Sequence, residues 1–289
     1  MLQVLILIEL ALRALLLGAL YSIISVGFSL IFGVARILNF AHGIQLVFAA
    51  FLGYLFYNII GDSITAALST ILISFLLGAA IEKIIYPFRH PEIRTIMLTF
   101  GLGRILEQIL YAVWGPIYIM YPLYISGSLK IFDISISTHR ITLAAFAISI
   151  TLLLWLFVTK TKLGKAIRAV AQDEEAAMIM GINIKRIRLT TFAIAGALAG
   201  TAGLLLNSIY MFHPAIGWEY LGIALSIVIF AGLGDIRGAI IAGFILSLTE
   251  TLIGYFISPL WRTVAYFAII IIILLVRPSG LFRRSGRVS

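Results

Sequence analysis

The hydrophobic positions of this sequence form long, unbroken runs rather than an alternating pattern. Two of the clearest are Ile141–Val158 and Tyr266–Val276. Such runs are typical of helices that cross a bilayer, whereas the strands of a membrane barrel alternate in polarity over about ten residues. Four stretches are too polar or too broken to cross, namely 83–94, 114–138, 160–188 and 277–289. The pattern therefore predicts an all-α protein, a polytopic bundle of membrane helices.

The apolar stretches leave room for eight or nine transmembrane helices of about 20 residues each. We place them near 10–33, 40–60, 64–82, 95–113, 140–159, 189–209, 219–233, 238–257 and 262–276. Two of these, 219–233 and 262–276, are short for a full crossing. If one of them is re-entrant or continues into its neighbour, the count is eight. Residues 1–289 are expected to form a single transmembrane domain, with some helices broken.

The composition excludes several classes of protein. Hydrophobic residues make up 62% of the chain and charged residues 11%, with a mean hydropathy of +1.13. An ordinary soluble domain carries about 25% charged residues. A soluble enzyme, a disordered chain and a nucleic-acid-binding protein are therefore excluded, despite the net charge of +9. There is no cysteine and the four histidines are scattered without ligand spacing, so we expect no metal site.

The basic residues indicate which loops face the cytoplasm. The alternating loops carry only Lys130, Arg140 and Arg262, and the positive-inside rule places the more basic set inside the cell. That set comprises Lys83, Arg89, Arg94, Lys160, Lys162, Lys165, Arg168, Lys185, Arg186, Arg188, Arg277, Arg283, Arg284 and Arg287. Residues 277–289 are then a basic cytoplasmic tail. With nine helices the N-terminus lies outside.

The cytoplasmic loop 160–188 contains a short predicted helix. Acids that favour a helix N-terminus stand at Asp173, Glu174 and Glu175. Gly181 is placed to end the helix, so we expect it to run from about 173 to 180. A small apolar patch is expected around Ala176 and Ala177. Two interpretations remain open: an interfacial helix held by anionic lipids, or a docking knob whose small alanines let a partner protein approach closely.

The segment 33–43, GVARILNFAHG, interrupts the apolar pattern between the first two helices. If it is helical, Asn39, His42 and Gln45 share one face. One interpretation is a broken helix whose end lines a pathway through the membrane, because polar groups at this depth usually face the bundle interior or water. The other is a plain turn in which Asn39 caps the next helix. A second break is expected at 232–238, GLGDIRG.

Polar and small residues inside the predicted helices also require explanation. Glu250 is expected either to line the pathway or to pair with Arg262 or Arg104, because an acid inside a membrane must be paired, hydrated or protonated. Pairing is the favoured alternative, although Arg104 and Glu107 are most simply a local ion pair. The sixth helix carries small residues that let helices pack closely, at Ala193, Gly196, Gly200 and Gly203.

Several stretches resemble one family of transport proteins. EAAMIMG at Glu175–Gly181 is similar to the E-A-A-x-x-x-G motif in the cytoplasmic loop of permease subunits of bacterial and archaeal ABC importers. The later I-x-L-P element does not follow, as is typical of the branched-chain amino acid group. The H-type (LivH-like) permeases of that group are also resembled by GFSLIFGVARILNFAHG (27–43), EKIIYPFR (82–89), AGALAGTAGLLL (195–206), AGLGDIRGAIIAGFILSLTE (231–250) and RPSGLF (277–282).

The resemblance implies a permease subunit of an ATP-driven importer that moves branched-chain or other small apolar amino acids by alternating access. In that family the loop forms a coupling helix that sits in a groove of a separate ATPase. The ATPase-coupling residues implied here are Asp173, Glu174, Glu175, Ala176, Ala177 and Gly181. The resemblance of NFAHG also favours the pathway interpretation, and the residues assigned to the translocation pathway are Asn39, His42, Gln45 and Glu250.

The resemblance further implies a set of partners in the cell membrane. These are a second, LivM-like permease subunit, two ABC ATPase subunits, and an extracellular or periplasmic amino-acid-binding protein; no nucleic acid is expected. The sequence has no G-x-x-x-x-G-K-[ST] phosphate loop, so we expect neither enzyme activity nor a cofactor in this chain, with ATP and Mg bound by the ATPases. The alternatives are a permease for urea, short amides or other amino acids, or an ion-coupled secondary transporter that needs no ATPase.

Overall fold

The apolar runs form long helices in the computed structural model, which describes residues 2–123, 125–131, 134–277 and 280–282. The α-helices in these ranges are α1 Leu2–Ala35, α2 His42–Ile60, α3 Ser63–Ile85, α4 Glu92–Trp114, α5 Thr138–Lys160, α6 Lys162–Gln172, α7 Glu174–Ile179, α8 Ile184–Asn207, α9 Gly217–Ala231, α10 Ile236–Phe256 and α11 Arg262–Val276. Short 3₁₀ turns lie at Tyr86–Phe88, Pro214–Ile216 and Pro259–Trp261. The prediction of an all-α bundle is confirmed.

The segment between α4 and α5 contains one small departure from helix. Strands β1 (Ser128–Ile131) and β2 (Ile134–Ser137) pair antiparallel, with Ser128 opposite Ser137. This hairpin lies in a stretch that the sequence had predicted to be too polar to cross the membrane. It leads directly into the first turn of α5.

Nine helices in the described ranges are long and apolar enough to cross a membrane, the upper of the two predicted counts. The two short ones reach 18 residues because a 3₁₀ turn precedes each of α9 and α11. The largest boundary errors concern the starts of α1, at Leu2 rather than near 10, and of α8, at Ile184 rather than near 189. Lys185, Arg186 and Arg188 are therefore helical, although the sequence placed them in the loop.

The chain divides into two compact units, and each is described by itself. The first unit comprises Met1–Ser29, Tyr124–Thr151 and Gly222–Ser289, and the second comprises Leu30–Leu123 and Leu152–Leu221. In the second unit α3 packs against α2, α4 and α8. One buried apolar cluster at this packing consists of Ile31, Ala35, Ile37, Ala41, Ile81, Ile85, Phe192 and Ala195.

Glycines let the helices of the second unit approach to backbone contact. A Cβ placed on Gly78 of α3 would lie 2.2 Å from the carbonyl oxygen of Phe192 in α8. A Cβ on Gly196 would lie 2.4 Å from the carbonyl oxygen of Ser74, and one on Gly203 would lie 2.2 Å from that of Leu46. Only hydrogen fits at these points, so the predicted packing role of the small residues in α8 is confirmed.

In the first unit Glu250 of α10 lies in a buried polar cluster. Its carboxylate accepts hydrogen bonds from the hydroxyls of Tyr21, at 2.8 Å, and Tyr266. The nearest guanidinium is that of Arg262, with Nη1 3.7 Å from Glu250 Oε1. The favoured alternative for Glu250, pairing with an arginine, is confirmed with Arg262 as the partner, whereas Arg104 pairs with Glu107.

The predicted break at 232–238 separates α9 from α10. Gly232 and Gly234 both have positive φ angles, of 106° and 86°. The Asp235 carboxylate accepts from the backbone N–H of Arg237 and of Gly238, both at 3.0 Å, and so caps α10. Of the predicted basic tail, Arg283, Arg284 and Arg287 lie outside the described residues.

Two sets of polar contacts in the second unit involve residues outside the candidate spans, at the start of α3 and at Tyr121. Asp62 caps α3 and its pKa is lowered, because the hydroxyl and the backbone N–H of Thr65 donate to its carboxylate. The hydroxyl of Tyr121 donates to the carbonyl of Ser63, and burial raises the pKa of Tyr121 to about 12. Tyr121 therefore stays protonated, and remains a donor, through the physiological pH range.

Candidate functional site

The loop between α5 and α8 is built from two short helices whose N-termini are capped. Thr161 Oγ1 accepts from the backbone N–H of Gly164, at 3.0 Å, and begins α6. Asp173 Oδ1 accepts from Ala176 N, at 2.9 Å, and begins α7. These are the bonds that N-cap side chains normally make. The short helix predicted at 173–180 is confirmed, with Glu174 and Glu175 in its first turn.

Gly181 ends α7 in a Schellman motif. Its φ angle is +81°, which glycine adopts without strain. Its N–H donates to the carbonyl of Met178 and the N–H of Ile182 donates to that of Ala177, both at 3.0 Å. Two residues later Asn183 caps α8, accepting from Arg186 N at 3.0 Å. The chain is thus turned from α7 directly into α8.

The exposed apolar surface of α7 differs from the predicted one. Ala177 is buried, with 4% of its surface exposed, so the expected patch around Ala176 and Ala177 is wrong at Ala177. The reason is that α7 packs on α6 and α8. The surface is formed instead by Met178, Ile179 and Met180, which are 60%, 84% and 81% exposed. We call these three residues the α7 patch. Asp173, Glu175 and Ala176 are exposed beside it, and Glu174 is partly exposed.

The first break, residues 36–41, follows the end of α1. Arg36 has a φ angle of +54°, rare for a residue other than glycine, and turns the chain out of the helix. Its guanidinium Nη2 donates to the carbonyl oxygen of Gln172, the last residue of α6, at 3.3 Å. The break that holds Asn39 is therefore in direct contact with the loop between α5 and α8.

Asn39 lies in a turn within this break. Its Oδ1 accepts from Ala41 N at 3.1 Å, and α2 begins only at His42. The single helical face expected for a continuous helix is therefore wrong for Asn39, and Asn39 is not the N-cap of α2, because Ala41 holds that position. Asn39 Nδ2 is buried and makes no hydrogen bond within the described ranges. A buried donor of this kind is costly unless another group or water meets it.

His42 and Gln45 occupy the first turn of α2 and are both buried. Gln45 Nε2 donates to the carbonyl of Ser74 in α3, at 3.2 Å. The same amide lies beside Gly196 of α8, where a Cβ would come within 2.7 Å of it. Gln45 is thus held in the packed interface of three helices. Asn39, His42 and Gln45 all belong to the second unit, whereas Glu250 belongs to the first.

The first break also contacts α4 through Thr99, a residue that was not identified from the sequence. Phe40 N donates to Thr99 Oγ1 at 3.2 Å, and Ala41 packs near Gly103. Small or polar side chains recur at every fourth position along this face of α4, and all are buried: Thr95, Thr99, Gly103 and Glu107. That spacing is visible in the sequence and could have identified the face.

Glu107, the last residue of that face, makes polar contacts that reach α9. Glu107 Oε2 accepts from Arg104 Nη1 at 2.6 Å and from the indole N–H of Trp218 at 2.9 Å. The predicted local ion pair is therefore confirmed, with Trp218 as an additional partner. The carboxylate is satisfied by charge and by hydrogen bonds, as an acid in a membrane helix requires.

A second ion pair, which the sequence did not predict, joins α3 to α8. Arg188 Nε donates to Glu82 Oε1 at 2.6 Å, and Nη2 lies 3.5 Å from Oε2. The two side chains are only 3% and 1% exposed, and the Arg188 guanidinium stacks near the ring of Tyr86. Arg188 is thus a buried, ion-paired residue of α8 and not an exposed charge of the loop. It lies five residues after the cap that connects α7 to α8.

A family model and the similar known proteins both match most of the chain, and they point to the same family. Residues 10–275 match the family described as "Branched-chain amino acid transport system / permease component". The chain is 28% identical to the high-affinity branched-chain amino acid transport system permease protein LivH of Salmonella typhimurium, over 93% of this chain and 92% of that protein. It is 26% identical to the corresponding permease protein BraD of Pseudomonas aeruginosa, over 92% of both.

A solved structure shares the fold at lower sequence similarity. It is PsaBC from Streptococcus pneumoniae in complex with a Fab, with a TM-score of 0.52 and 14% sequence identity. The alignment covers 92% of this chain and 91% of that chain. Within the described ranges, no group of three or more His, Asp or Glu side chains could hold a metal ion.

Proposed function

Because the chain belongs to the family of permease components of branched-chain amino acid transport systems, as a multi-pass protein of the cell membrane, we propose that it is the permease subunit of an ATP-driven importer. Its cargo is a branched-chain or another small apolar amino acid. The family match over residues 10–275 is the observation that carries this proposal. The sequence has no phosphate loop of its own, so separate ATPase subunits supply the energy.

The α7 patch and the exposed acids beside it form the contact for the ATPase. Three apolar side chains that are 60–84% exposed, on a helix outside the nine candidate spans, are costly in water and are suited to burial against another protein. Asp173, Glu175 and Ala176 border the patch. The caps at both ends hold α7 in one orientation, so that it can bind in a groove of the ATPase.

Two connections carry motion of α7 into the membrane part of the second unit. One runs through Gly181 and Asn183 into α8, which is locked to α3 by the Arg188–Glu82 pair. The other runs through α6, whose last carbonyl accepts from Arg36 at the start of the first break. Closure of the ATPases would shift both, and access to the substrate would alternate between the two sides of the membrane.

The remaining partners follow from the same proposal. A second permease subunit, LivM-like, completes the transmembrane part, two ABC ATPases bind on the cytoplasmic side, and an external amino-acid-binding protein delivers the cargo. ATP and Mg are held by the ATPases. Urea, short amides or other amino acids remain alternative cargoes within the same mechanism.

The proposal is tested by reconstituting the chain with its partner subunits in liposomes. We expect uptake of leucine, isoleucine or valine that requires ATP and the binding protein, and competition among these and urea ranks the cargoes. Glu175→Arg should abolish ATPase co-purification while the permease still inserts, because it reverses a charge beside the α7 patch. Glu92→Arg, which changes an exposed acid of α4, is the matched control. Uptake by the chain alone, driven by an ion gradient, would contradict the proposal.

Within this mechanism Asn39 lines the translocation pathway. Its buried Nδ2 makes no hydrogen bond in the part of the chain that the structure describes, so it is available to a substrate carbonyl or water when the break moves. Asn39→Leu should reduce the uptake rate at least tenfold, and Asn39→Asp, which keeps the turn-forming Oδ1, tests the amide itself. Assembly with the ATPases should be unchanged in both. Normal uptake by Asn39→Asp would restrict Asn39 to its turn.

A further inference from the structure

A half-open cavity of about 300 Å³ lies in the first unit, whereas the loop and the first break belong to the second. One wall is the outer part of α1, with Glu9 and Arg13, and the other is formed by β2 and the first turn of α5, with Arg140. We call it the hairpin pocket. None of the candidate functional residues described above lines it.

Among the described residues that line the hairpin pocket, one cation is in excess. Arg13 Nη2 donates to Glu9 Oε1 at 2.5 Å, so these two form an ion pair one helical turn apart. The side chain of Arg140 makes no ion pair or hydrogen bond with any other residue in the described ranges. The hydroxyls of Ser135 and Ser137 line the same wall as Arg140 and can also donate. The pocket thus offers a guanidinium and two hydroxyls to an anion.

The two helices independently place these charges at the outer boundary of the membrane. From Arg13 to the end of α1 is 22 residues, or about 33 Å of helix, which matches the hydrocarbon thickness of about 30 Å. From Arg140 to the end of α5 is 20 residues, or about 30 Å. Both helices end on the side that the basic residues assign to the cytoplasm. Arg13 and Arg140 therefore lie at the level of the external lipid headgroups.

The apolar residues of the pocket follow the direction of a lipid chain. Leu16 lies about one helical turn deeper in the membrane than Arg13, whereas Leu12 lies at the level of Arg13. A polar upper half and an apolar lower half match a phosphate group with an acyl chain below it.

We propose that the hairpin pocket binds the phosphate group of a phospholipid of the external leaflet, with an acyl chain along Leu16. Arg140 contacts the phosphate, since a guanidinium can donate two parallel hydrogen bonds to it. The ion-paired Arg13 provides positive charge at the same level. The proposal is independent of the cargo and of the ATPases, because no coupling or pathway residue takes part in it.

Native mass spectrometry of the purified full-length chain tests this directly. The chain is titrated with phosphatidylglycerol, with phosphatidylethanolamine, and with diacylglycerol, which has the acyl chains but no phosphate. Both phospholipids should give a saturable one-lipid adduct, and diacylglycerol should not. Arg140→Ala should weaken the adduct about tenfold or more, the expected cost of one charge-assisted hydrogen bond. Arg140→Lys should retain part of the affinity.

Arg94→Ala is the matched control, since it removes an exposed arginine from a cytoplasmic loop and should leave the adduct unchanged. Equal elution of all variants in size-exclusion chromatography verifies that they fold. The proposal is overturned if Arg140→Ala binds phospholipid as wild type does, or if diacylglycerol binds equally. It is also overturned if glycerol 3-phosphate displaces the lipid at equal concentration, or if the pocket is covered by a second copy in a lipid-free dimer.

Discussion

α7 and α8 are adjacent in the sequence, yet they are held in place by opposite means. α8 is 24 residues long, and it is fixed by glycine contacts to backbone and by the buried Arg188–Glu82 pair. α7 has six residues, too few to be stable as an isolated helix, and it is held by a cap at each end and by Ala177. One helix is a rigid part of the core, and the other presents a surface.

The difference suggests how force could pass through the second unit. A bound partner can tilt a short helix that is held mainly by its caps. A closely packed interface has few intermediate arrangements, so the helices that form it move together as one rigid body. Asn183 and Gly181 join the two regions within two residues. If this comparison is right, changes in the α3–α8 interface should damage stability, and changes in α7 should damage transport alone.

The largest effect on stability is expected at the buried ion pair. Glu82→Gln leaves the Arg188 guanidinium buried without its counter-charge, and breaking such a pair costs about 3–5 kcal/mol. The measurement is unfolding of the detergent-solubilised chain, followed by circular dichroism. Glu9→Gln, in the exposed Glu9–Arg13 pair, is the control and should cost less than about 1 kcal/mol. A similar loss in both variants would mean that burial of the Glu82 pair is not decisive.

A smaller loss of stability is expected where α3 meets α8. Gly78→Ala places a Cβ 2.2 Å from the carbonyl oxygen of Phe192, so the helices must separate, at a cost of about 1–3 kcal/mol. Gly101→Ala in α4 is the matched control, since its Cβ would meet nothing within 4 Å. Thermal unfolding should show a lower Tm for Gly78→Ala only. Equal Tm values for the two variants would show that this contact is not tight.

The smallest effect on stability, but a large one on transport, is expected at Gly181. Gly181→Val forces a β-branched residue to a φ angle of +81° and should tilt α7, although its Cβ would touch no neighbour. We expect uptake by the reconstituted complex to fall at least fivefold with an unchanged Tm. Gly181→Asn should retain most uptake, because asparagine tolerates the left-handed conformation. Equal uptake by the two variants would remove the orientation of α7 from the mechanism.

Local signals predicted the elements well. The long apolar runs located every candidate span in the described ranges, and the acids and the glycine of the loop located α7. The start of α8 was missed because Arg188 looks like a loop charge. It is tolerated in the helix by Glu82, 106 residues away in sequence, and no local pattern reveals such a partner.

The orientation of side chains was harder to predict than the elements. The apolar spacing of the loop suggested an exposed patch that includes Ala177, but which face of α7 is covered depends on how α6 and α8 pack around it. If the segment were helical, Asn39 would share a face with His42 and Gln45, but the left-handed conformation of Arg36 ends α1 before that point. Contacts between distant segments decide both cases.

The most direct test of the central claim is site-specific cross-linking from the α7 patch. The chain has no cysteine, so Ile179→Cys creates a single reactive site at the most exposed position of the patch. In inside-out vesicles that contain the assembled complex, we expect Ile179→Cys to cross-link to an ATPase subunit and Ile59→Cys, at the end of α2, not to do so. Labelling of Ile179→Cys by an impermeant maleimide from outside the cell, or an equal absence of cross-links in both variants, would contradict the account.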